Sequence, residues 1–204
     1  MPSAAQACFV FAHGAGAGMT HAFMESFANG LAEAGVATFR YQFPYMEQGS
    51  RRPDPPALCH ATVRAAVGEA TRISGGLPLI AGGRSFGGRM TSQAQASAPL
   101  AGVIGLAFLG FPLHPANKPA DERAAHLADV SIPMLFLQGD HDELADLGLL
   151  RSVIRSLGER ATLNLVAAAD HAFHVPARSG RNDSQVLGEL VQDLRRWTDA
   201  LLGS

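Results

Sequence analysis

The chain has 204 residues, of which 47% are hydrophobic and 17% charged, so it can bury the core of one ordinary domain without a disulfide or a structural metal. Its 16 basic and 18 acidic residues give a formal net charge of −2, which leaves no electrostatic footprint for nucleic acid or for an anionic membrane surface. We therefore expect a single domain over residues 1–204, with neither nucleic acid nor a membrane as partner.

The N-terminal region and the cysteines favour a cytoplasmic protein. Residues 1–12 have no positive n-region, and the apolar stretch 7–12 is too short for the h-region of a signal peptide. No segment reaches the ~18 uninterrupted apolar residues of a membrane span. The two cysteines, Cys8 and Cys59, are too few for a disulfide framework, which makes a reducing compartment the simpler interpretation.

Short apolar runs that end in glycine or proline alternate with longer stretches of helical spacing. This pattern predicts an α/β fold, a doubly wound and mainly parallel six-stranded sheet with helices on both faces. The predicted strands are 8–12, 37–43, 77–81, 102–109, 133–138 and 162–167, and the predicted helices are 20–34, 56–73, 87–96, 121–127, 144–157 and 184–202. Two proline-rich irregular stretches, 44–56 and 112–119, follow strands, at the edge where open α/β sheets place their binding crevices.

Residues 83–87 read Gly-Arg-Ser-Phe-Gly and fit G-x-S-x-G, the turn that holds a nucleophilic serine between a strand and a helix. The glycines leave space for the strand and the helix to approach closely while the serine oxygen projects outward. A predicted buried strand precedes the motif and a predicted helix follows it. Ser85 is therefore the candidate nucleophile, and a glycine-rich structural turn is the alternative.

A second motif, His13-Gly14-Ala15-Gly16-Ala17, directly follows the first predicted strand. Small residues at this place expose a backbone N–H group toward a developing oxyanion, so we expect the N–H groups of Ala15 and Phe86 to form an oxyanion hole. His13 is expected to orient this loop beside the substrate rather than to transfer protons. A nucleotide-binding G-x-G-x-x-G fingerprint would require glycine at position 19, which is Met19.

The acid and the base of a serine nucleophile are expected later in the chain. A strand that runs into an acidic turn offers Asp140 and Asp142, and their spacing alone does not choose between them. The last strand runs into a histidine, and His171 is favoured over His174 because it lies closer to the strand end.

Two other roles compete for these polar residues. Aspartates in turns often accept backbone hydrogen bonds, which would explain Asp140, Asp142 and Asp170 without catalysis. A metal site is the other alternative, and its candidate ligands are His141, Asp142, His171 and His174. The H-x-x-H spacing of His171 and His174 is not the i, i+4 spacing of a zinc helix, however, and no H-E-x-x-H occurs. We therefore predict no metal and no cofactor.

In chain order, His13-Gly14, Ser85 in its turn, Gly139-x-x-Asp142 and Asp170-His171 resemble the α/β-hydrolase fold over essentially the whole chain. The stretches at 40–45 and 111–115 are similar to a small bacterial subgroup near the dienelactone-hydrolase-like proteins, which also includes animal testis-expressed and chromatin-complex relatives. The resemblance implies a minimal α/β-hydrolase fold with Asp142 as the acid and His171 as the base. Dienelactone hydrolases proper carry cysteine where this chain has Ser85, so lactone chemistry on dienes is not implied.

The resemblance also bounds the substrate. Lids in such hydrolases commonly follow the fourth strand, where residues 112–131 leave only a short loop and one helix, so we expect no cap domain and an open site for small or medium soluble esters. Arg40, Arg51 and Arg52 lie on or beside the loop after the second strand and are candidates to bind a substrate carboxylate or phosphate. The alternative is solvated pairing with Glu47 and Asp54.

The expected function is that of a serine esterase of the carboxylesterase type. The alternatives are thioester or amide hydrolysis with the same residues, and a non-catalytic interaction protein that keeps the fold.

Because the antiparallel strands that usually precede the first strand of this fold are absent, six parallel strands remain. If their spatial order is 2-1-3-4-5-6, His13-Gly14-Ala15 and Ser85 lie at the topological switch point.

Overall fold

The computed structural model describes residue 2 and residues 5–203, so the extreme ends of the predicted domain 1–204 lie outside the described residues. Within this part, six parallel strands form one sheet in the order β2-β1-β3-β4-β5-β6. The predicted fold class and strand order are confirmed. The strands are β1 Ala7–Ala12, β2 Val36–Tyr41, β3 Leu79–Arg84, β4 Val103–Leu109, β5 Met134–Gly139 and β6 Ala161–Val166.

The helices cover both faces of this sheet, as predicted. They are α1 Ala22–Glu33, α2 Pro44–Glu47, α3 Pro56–Ile73, α4 Phe86–Ser97, α5 Leu147–Leu157 and α6 Asp183–Leu202. The apolar stripes of α1 and α6 pack on one face, with Phe27 and Leu190 in the same cluster of buried side chains. Helices α3, α4 and α5 pack on the other face, where Val63, Met90 and Leu150 belong to a second cluster. These helices thus each bury one apolar face, which is formed by the apolar residues whose helical spacing predicted the helix.

Three predicted elements differ in type or length in the structure. The predicted helix 121–127 is a 3₁₀ helix, Glu122–Asp129, and the irregular stretch 44–56 contains the one-turn helix α2, which begins at a proline. Strand β3 also runs beyond its predicted end at residue 81, through Gly82 and Gly83 to Arg84. The glycines predict the end of this strand, but Gly82 instead permits a close approach of β3 and β4, because a Cβ there would lie 1.8 Å from the carbonyl oxygen of Ala107.

The strand order places a crevice at the carboxyl ends of β1 and β3. From β1 the chain continues to β2 on one side of it, and the later strands extend from β3 on the other. The loops that leave β1 and β3 therefore diverge and expose the strand ends between them. In the part of the chain that the structure describes, no helix is long and apolar enough to cross a membrane.

Candidate active site

Ser85 occupies the tight turn between β3 and α4, with φ 49° and ψ −117°. A positive φ at a residue with a side chain is uncommon and is held here by its surroundings, including the hydrogen bond from Ser85 N to the carbonyl oxygen of Leu109 at 2.9 Å. The positions that flank this turn require glycine, because a side chain there would collide with the backbone. A Cβ at Gly83 would lie 2.4 Å from the carbonyl oxygen of Ala12, and one at Gly87 would lie 2.4 Å from that of His13.

Ser85, His171 and Asp142 form a continuous chain of hydrogen bonds. Ser85 Oγ lies 2.8 Å from His171 Nε2, and His171 Nδ1 lies 2.7 Å from Asp142 Oδ2. The carboxylate keeps the proton of the neutral imidazole on Nδ1, which leaves Nε2 free to accept the serine proton. The chain joins the ends of β3, β5 and β6, so the three side chains meet only when these strands lie in register.

The carboxylate of Asp142 is fully buried and has two further donors. Gln138 Nε2 donates to the same oxygen as His171, and the backbone N–H of Leu144 donates to the other at 2.8 Å. Gln138 is itself held, because its Oε1 accepts from the backbone N–H of Phe111 at 2.8 Å. Gln138 did not figure among the predicted site residues. A polar side chain at the end of the apolar strand β5 was the available signal.

The alternative acid and base lie elsewhere. Among the described residues, the side chain of His171 bonds to Asp142 and Ser85 and not to Asp140, whose Oδ1 is buried without a hydrogen-bond partner. His174 is exposed and pairs with Asp183 at 2.9 Å, and that hydrogen bond raises the pKa of His174. Asp170 accepts from the backbone N–H groups of Ala172 and His174, the turn role expected of an aspartate.

The loop after β1 lies beside Ser85. Ala15 lines the same cavity as Ser85 and His171, and Phe86 follows Ser85 at the start of α4. This is the arrangement expected if the N–H groups of Ala15 and Phe86 receive an oxyanion.

His13 is fully buried and uses both ring nitrogens within the protein. Its Nε2 accepts from the backbone N–H of Phe43 at 3.0 Å, so its Nδ1 donates to the carbonyl oxygen of Gly14 at 2.8 Å. Burial lowers the pKa of His13, which favours this neutral form. The structure therefore leaves His13 no free group for a substrate and gives it the orienting role over the loop.

Gln42, which follows β2, and Tyr45, which lies in α2, hold the same loop by hydrogen bonds, and neither was predicted as a site residue. The hydroxyl of Tyr45 donates to the carbonyl oxygen of Ala15 at 3.0 Å, and the side-chain oxygen of Gln42 accepts from Met19 N at 3.1 Å. Tyr45 is 1% exposed, and burial raises its pKa to about 12, so the hydroxyl stays protonated and donates. The segment 42–45 therefore holds the loop that follows β1 in place beside Ser85.

The three arginines predicted to bind substrate are not among the residues that line the cavity beside Ser85, and their role toward a substrate stays a prediction. Arg40 donates to the carbonyl oxygen of Met19 at 3.0 Å, and Arg51 and Arg52 are exposed. Asp54, one of their candidate partners, accepts from the backbone N–H of Tyr45. The arginines follow β2 in sequence, but the direction of their side chains is decided by how the loop packs.

The cavity has a volume of about 460 Å³ and is open to solvent. It is lined by small, apolar and basic residues, namely Gly14, Ala15, Gly16, Ala17, His21, Met24, Arg84, Ser85, His171 and Ala172. Within the described residues, no group of three histidine, cysteine or acidic side chains could hold a metal ion. A serine, an imidazole and a buried carboxylate at one cavity can perform acyl transfer.

Comparison with known proteins gives one family and many structures of the same fold. A family model described as an alpha/beta hydrolase domain matches residues 5–199. Dienelactone hydrolase from Anabaena variabilis is 22% identical, with a TM-score of 0.75 over 97% of this chain and 87% of that one. An α/β serine hydrolase without a lid from Xanthomonas campestris is 22% identical, with a TM-score of 0.72 over 97% and 85%. The esterase domain of a Rhodothermus marinus protein is 13% identical, with a TM-score of 0.69 over 96% and 87%.

Proposed function

Since the chain belongs to the α/β-hydrolase family, we propose that it is a serine hydrolase that cleaves small or medium soluble esters through an acyl-enzyme intermediate. The observation that carries the proposal is the unbroken hydrogen-bond chain from Ser85 Oγ through His171 to the buried carboxylate of Asp142. A protein that uses the fold only for binding would not need a serine held at a positive φ against an imidazole.

In the proposed mechanism, Ser85 Oγ attacks the ester carbonyl carbon while His171 Nε2 takes the serine proton. Asp142 stabilises the resulting imidazolium. The carbonyl oxygen becomes an oxyanion that accepts from the N–H groups of Ala15 and Phe86, where each donor contributes roughly 10²–10³ in rate. Collapse of the intermediate breaks the ester C–O bond, and His171 returns the proton to the leaving alcohol.

Deacylation repeats these steps with water as the nucleophile. His171 Nε2 removes a proton from a water molecule, which attacks the acyl carbon, and the proton then passes to Ser85 Oγ as the acid leaves. No cofactor takes part. The proposed compartment is the cytoplasm, and the support for it is that Cys8 and Cys59 are buried free thiols.

The proposed substrate size follows from the connection after β4. Between β4 and β5 the chain forms only irregular segments and the 3₁₀ helix Glu122–Asp129. This connection is too short for a lid, and the cavity is open to solvent. The lidless Xanthomonas campestris structure has the same fold. Short acyl esters are therefore the proposed substrates, and long acyl chains are expected to be poor ones.

The test is labelling with a fluorophosphonate, followed by intact-mass measurement. Wild type should gain one adduct, Ser85→Ala none, and the matched control Ser152→Ala, at an exposed position on α5, should label like wild type. Labelling that persists in Ser85→Ala would remove Ser85 as the nucleophile. Absence of labelling in every variant would favour the binding protein. A panel of esters, thioesters and amides of equal acyl length then identifies the bond that is cleaved.

A further inference from the structure

The cavity beside Ser85 has a basic side chain to which no role has been assigned. Besides His171, its lining includes Arg84 and His21, and none of the described residues that line it is acidic. His21 already accepts from Phe23 N as the N-cap of α1. Among the described residues that line the cavity, Arg84 is therefore the one that can offer a positive charge to a ligand.

Arg84 is held in place by an aromatic ring rather than by a carboxylate. Its guanidinium carbon lies 4.6 Å from the centroid of the Phe23 ring. Phe23 is itself fixed, because it stacks on Phe27 and on Phe173 with 6.0 Å between ring centroids in both pairs. The guanidinium is thus positioned before any ligand arrives, which reduces the entropy lost on binding.

The donors of Arg84 are available. The side chain donates no hydrogen bond to any described residue, and none of its nitrogens is among the fully buried polar atoms without a partner. The N–H donors of this planar fork are therefore not used by the described residues and can bind a ligand in the cavity. Arg160, another half-buried arginine, differs in this respect, because its guanidinium donates to two backbone carbonyl oxygens.

The charge of Arg84 is only partly compensated. Burial lowers the pKa of Arg84, and the opposing effect of Asp170 is the smaller of the two. Asp170 Oδ1 is already occupied by two backbone N–H groups of its own turn. A bound anion would supply the compensation that the protein lacks.

We propose that Arg84 binds an anionic group, a carboxylate or a phosphate, carried by the substrate whose ester bond reacts at Ser85. This rests on the proposed hydrolase function and makes it more specific: the substrates are esters with a second, negatively charged end. Arg84 neighbours Ser85 in sequence and lines the same cavity, so one molecule bound in that cavity can contact both side chains.

The catalytic test compares anionic substrates with neutral ones of the same shape. Monomethyl succinate and monomethyl glutarate carry the charge on the acyl side, acetoxyacetate and 2-phosphoethyl acetate carry it on the alcohol side, and dimethyl glutarate and methyl acetoxyacetate are neutral controls. Arg84→Gln should lower kcat/KM for the preferred anionic ester about 10- to 100-fold more than for its neutral control. Arg84→Lys should restore part of this ratio, and Arg155→Gln, which removes an exposed charge on α5, should not change it.

A binding measurement separates this proposal from the proposed function. Calorimetric titration of monomethyl glutarate and acetoxyacetate into Ser85→Ala, and into Ser85→Ala combined with Arg84→Gln, reports the anion site without turnover. Tighter binding to the first protein, weakened by salt, supports the anion site even if no ester is cleaved. Equal affinity of the two proteins, or equal loss of kcat/KM for anionic and neutral esters in Arg84→Gln, would show that Arg84 only packs on Phe23.

Discussion

Replacing Asp142 by asparagine changes one oxygen of a buried carboxylate into an amide N–H₂ group and keeps the shape of the side chain. The carboxylate accepts from His171 Nδ1 and Gln138 Nε2 at one oxygen and from Leu144 N at the other. Asparagine has a single acceptor oxygen, so in either orientation of its amide at least one of these donors faces an N–H₂ group.

Both orientations impair the reaction, for different reasons. With the amide oxygen toward Leu144, Nδ1 of His171 has to accept a hydrogen bond, so Nε2 carries the proton and cannot take one from Ser85. With the oxygen toward His171, the tautomer is retained, but no negative charge stabilises the imidazolium and Leu144 N loses its acceptor. Gln138 cannot turn to relieve the conflict, because its Oε1 already accepts from Phe111 N.

We expect kcat of Asp142→Asn to fall about 10²- to 10⁴-fold. One buried donor without an acceptor should also lower the free energy of unfolding by about 1–3 kcal/mol. Asp140→Asn is the matched control, since one oxygen of Asp140 is buried with no partner among the described residues and an amide fits there; activity should stay within about threefold. The measurements are kcat/KM on a short acyl ester and urea unfolding. A large loss in Asp140→Asn, with Asp142→Asn nearly active, would refute the reasoning.

Three further changes test other parts of the site. Tyr45→Phe removes the hydrogen bond to the carbonyl oxygen of Ala15 and should lower kcat about 3- to 10-fold with KM unchanged. Gly87→Ala places a Cβ 2.4 Å from the carbonyl oxygen of His13, so α4 must shift and kcat/KM should fall at least about 10²-fold. Burial lowers the pKa of His126 to about 4, so its stabilising effect is complete above about pH 6.5 and is lost as the pH falls toward 4. After a discount for partial exposure, wild type should lose about 1 kcal/mol more than His126→Gln between pH 7 and pH 5 in urea unfolding.

For each of these three predictions, one result would contradict the physical reason given. An unchanged kcat in Tyr45→Phe would mean that the loop holds its position without the hydroxyl. Full activity in Gly87→Ala would mean that the turn tolerates a displaced helix. Equal pH dependence of wild type and His126→Gln would mean that His126 protonates as readily in the fold as in the unfolded chain.

The site residues that belong to a short sequence motif could be predicted from the sequence. The motif around Ser85 requires glycines at fixed positions because of backbone contacts, and that requirement is visible without a structure. The choice of Asp142 over Asp140 needed the resemblance, because two aspartates two residues apart in a turn are equivalent until the strand register is known. Gln138 could not be predicted, since a polar residue at a strand end has many possible partners.

Arg84 and the loop arginines illustrate the limit more directly. Position 84 is a free position of G-x-S-x-G, so the motif carries no information about it. The role of Arg84 depends on Phe23, which reaches it from α1 on a different part of the chain. Conversely, Arg51 and Arg52 follow the correct strand, but the path of their loop leaves them in solvent. Adjacency in sequence to a strand end does not determine which side chains face the crevice.

The position of β6 at the edge of the sheet affects how activity is lost on heating. Ser85 and Ala15 follow central strands that are paired on both sides, whereas His171 follows β6, which pairs with β5 alone and has several half-exposed residues. Edge elements open locally at a lower free energy than the centre of a sheet. Detachment of β6 would carry away the imidazole while the serine turn stays folded. Thermal inactivation should therefore precede the cooperative melting of the sheet and remain reversible over that interval.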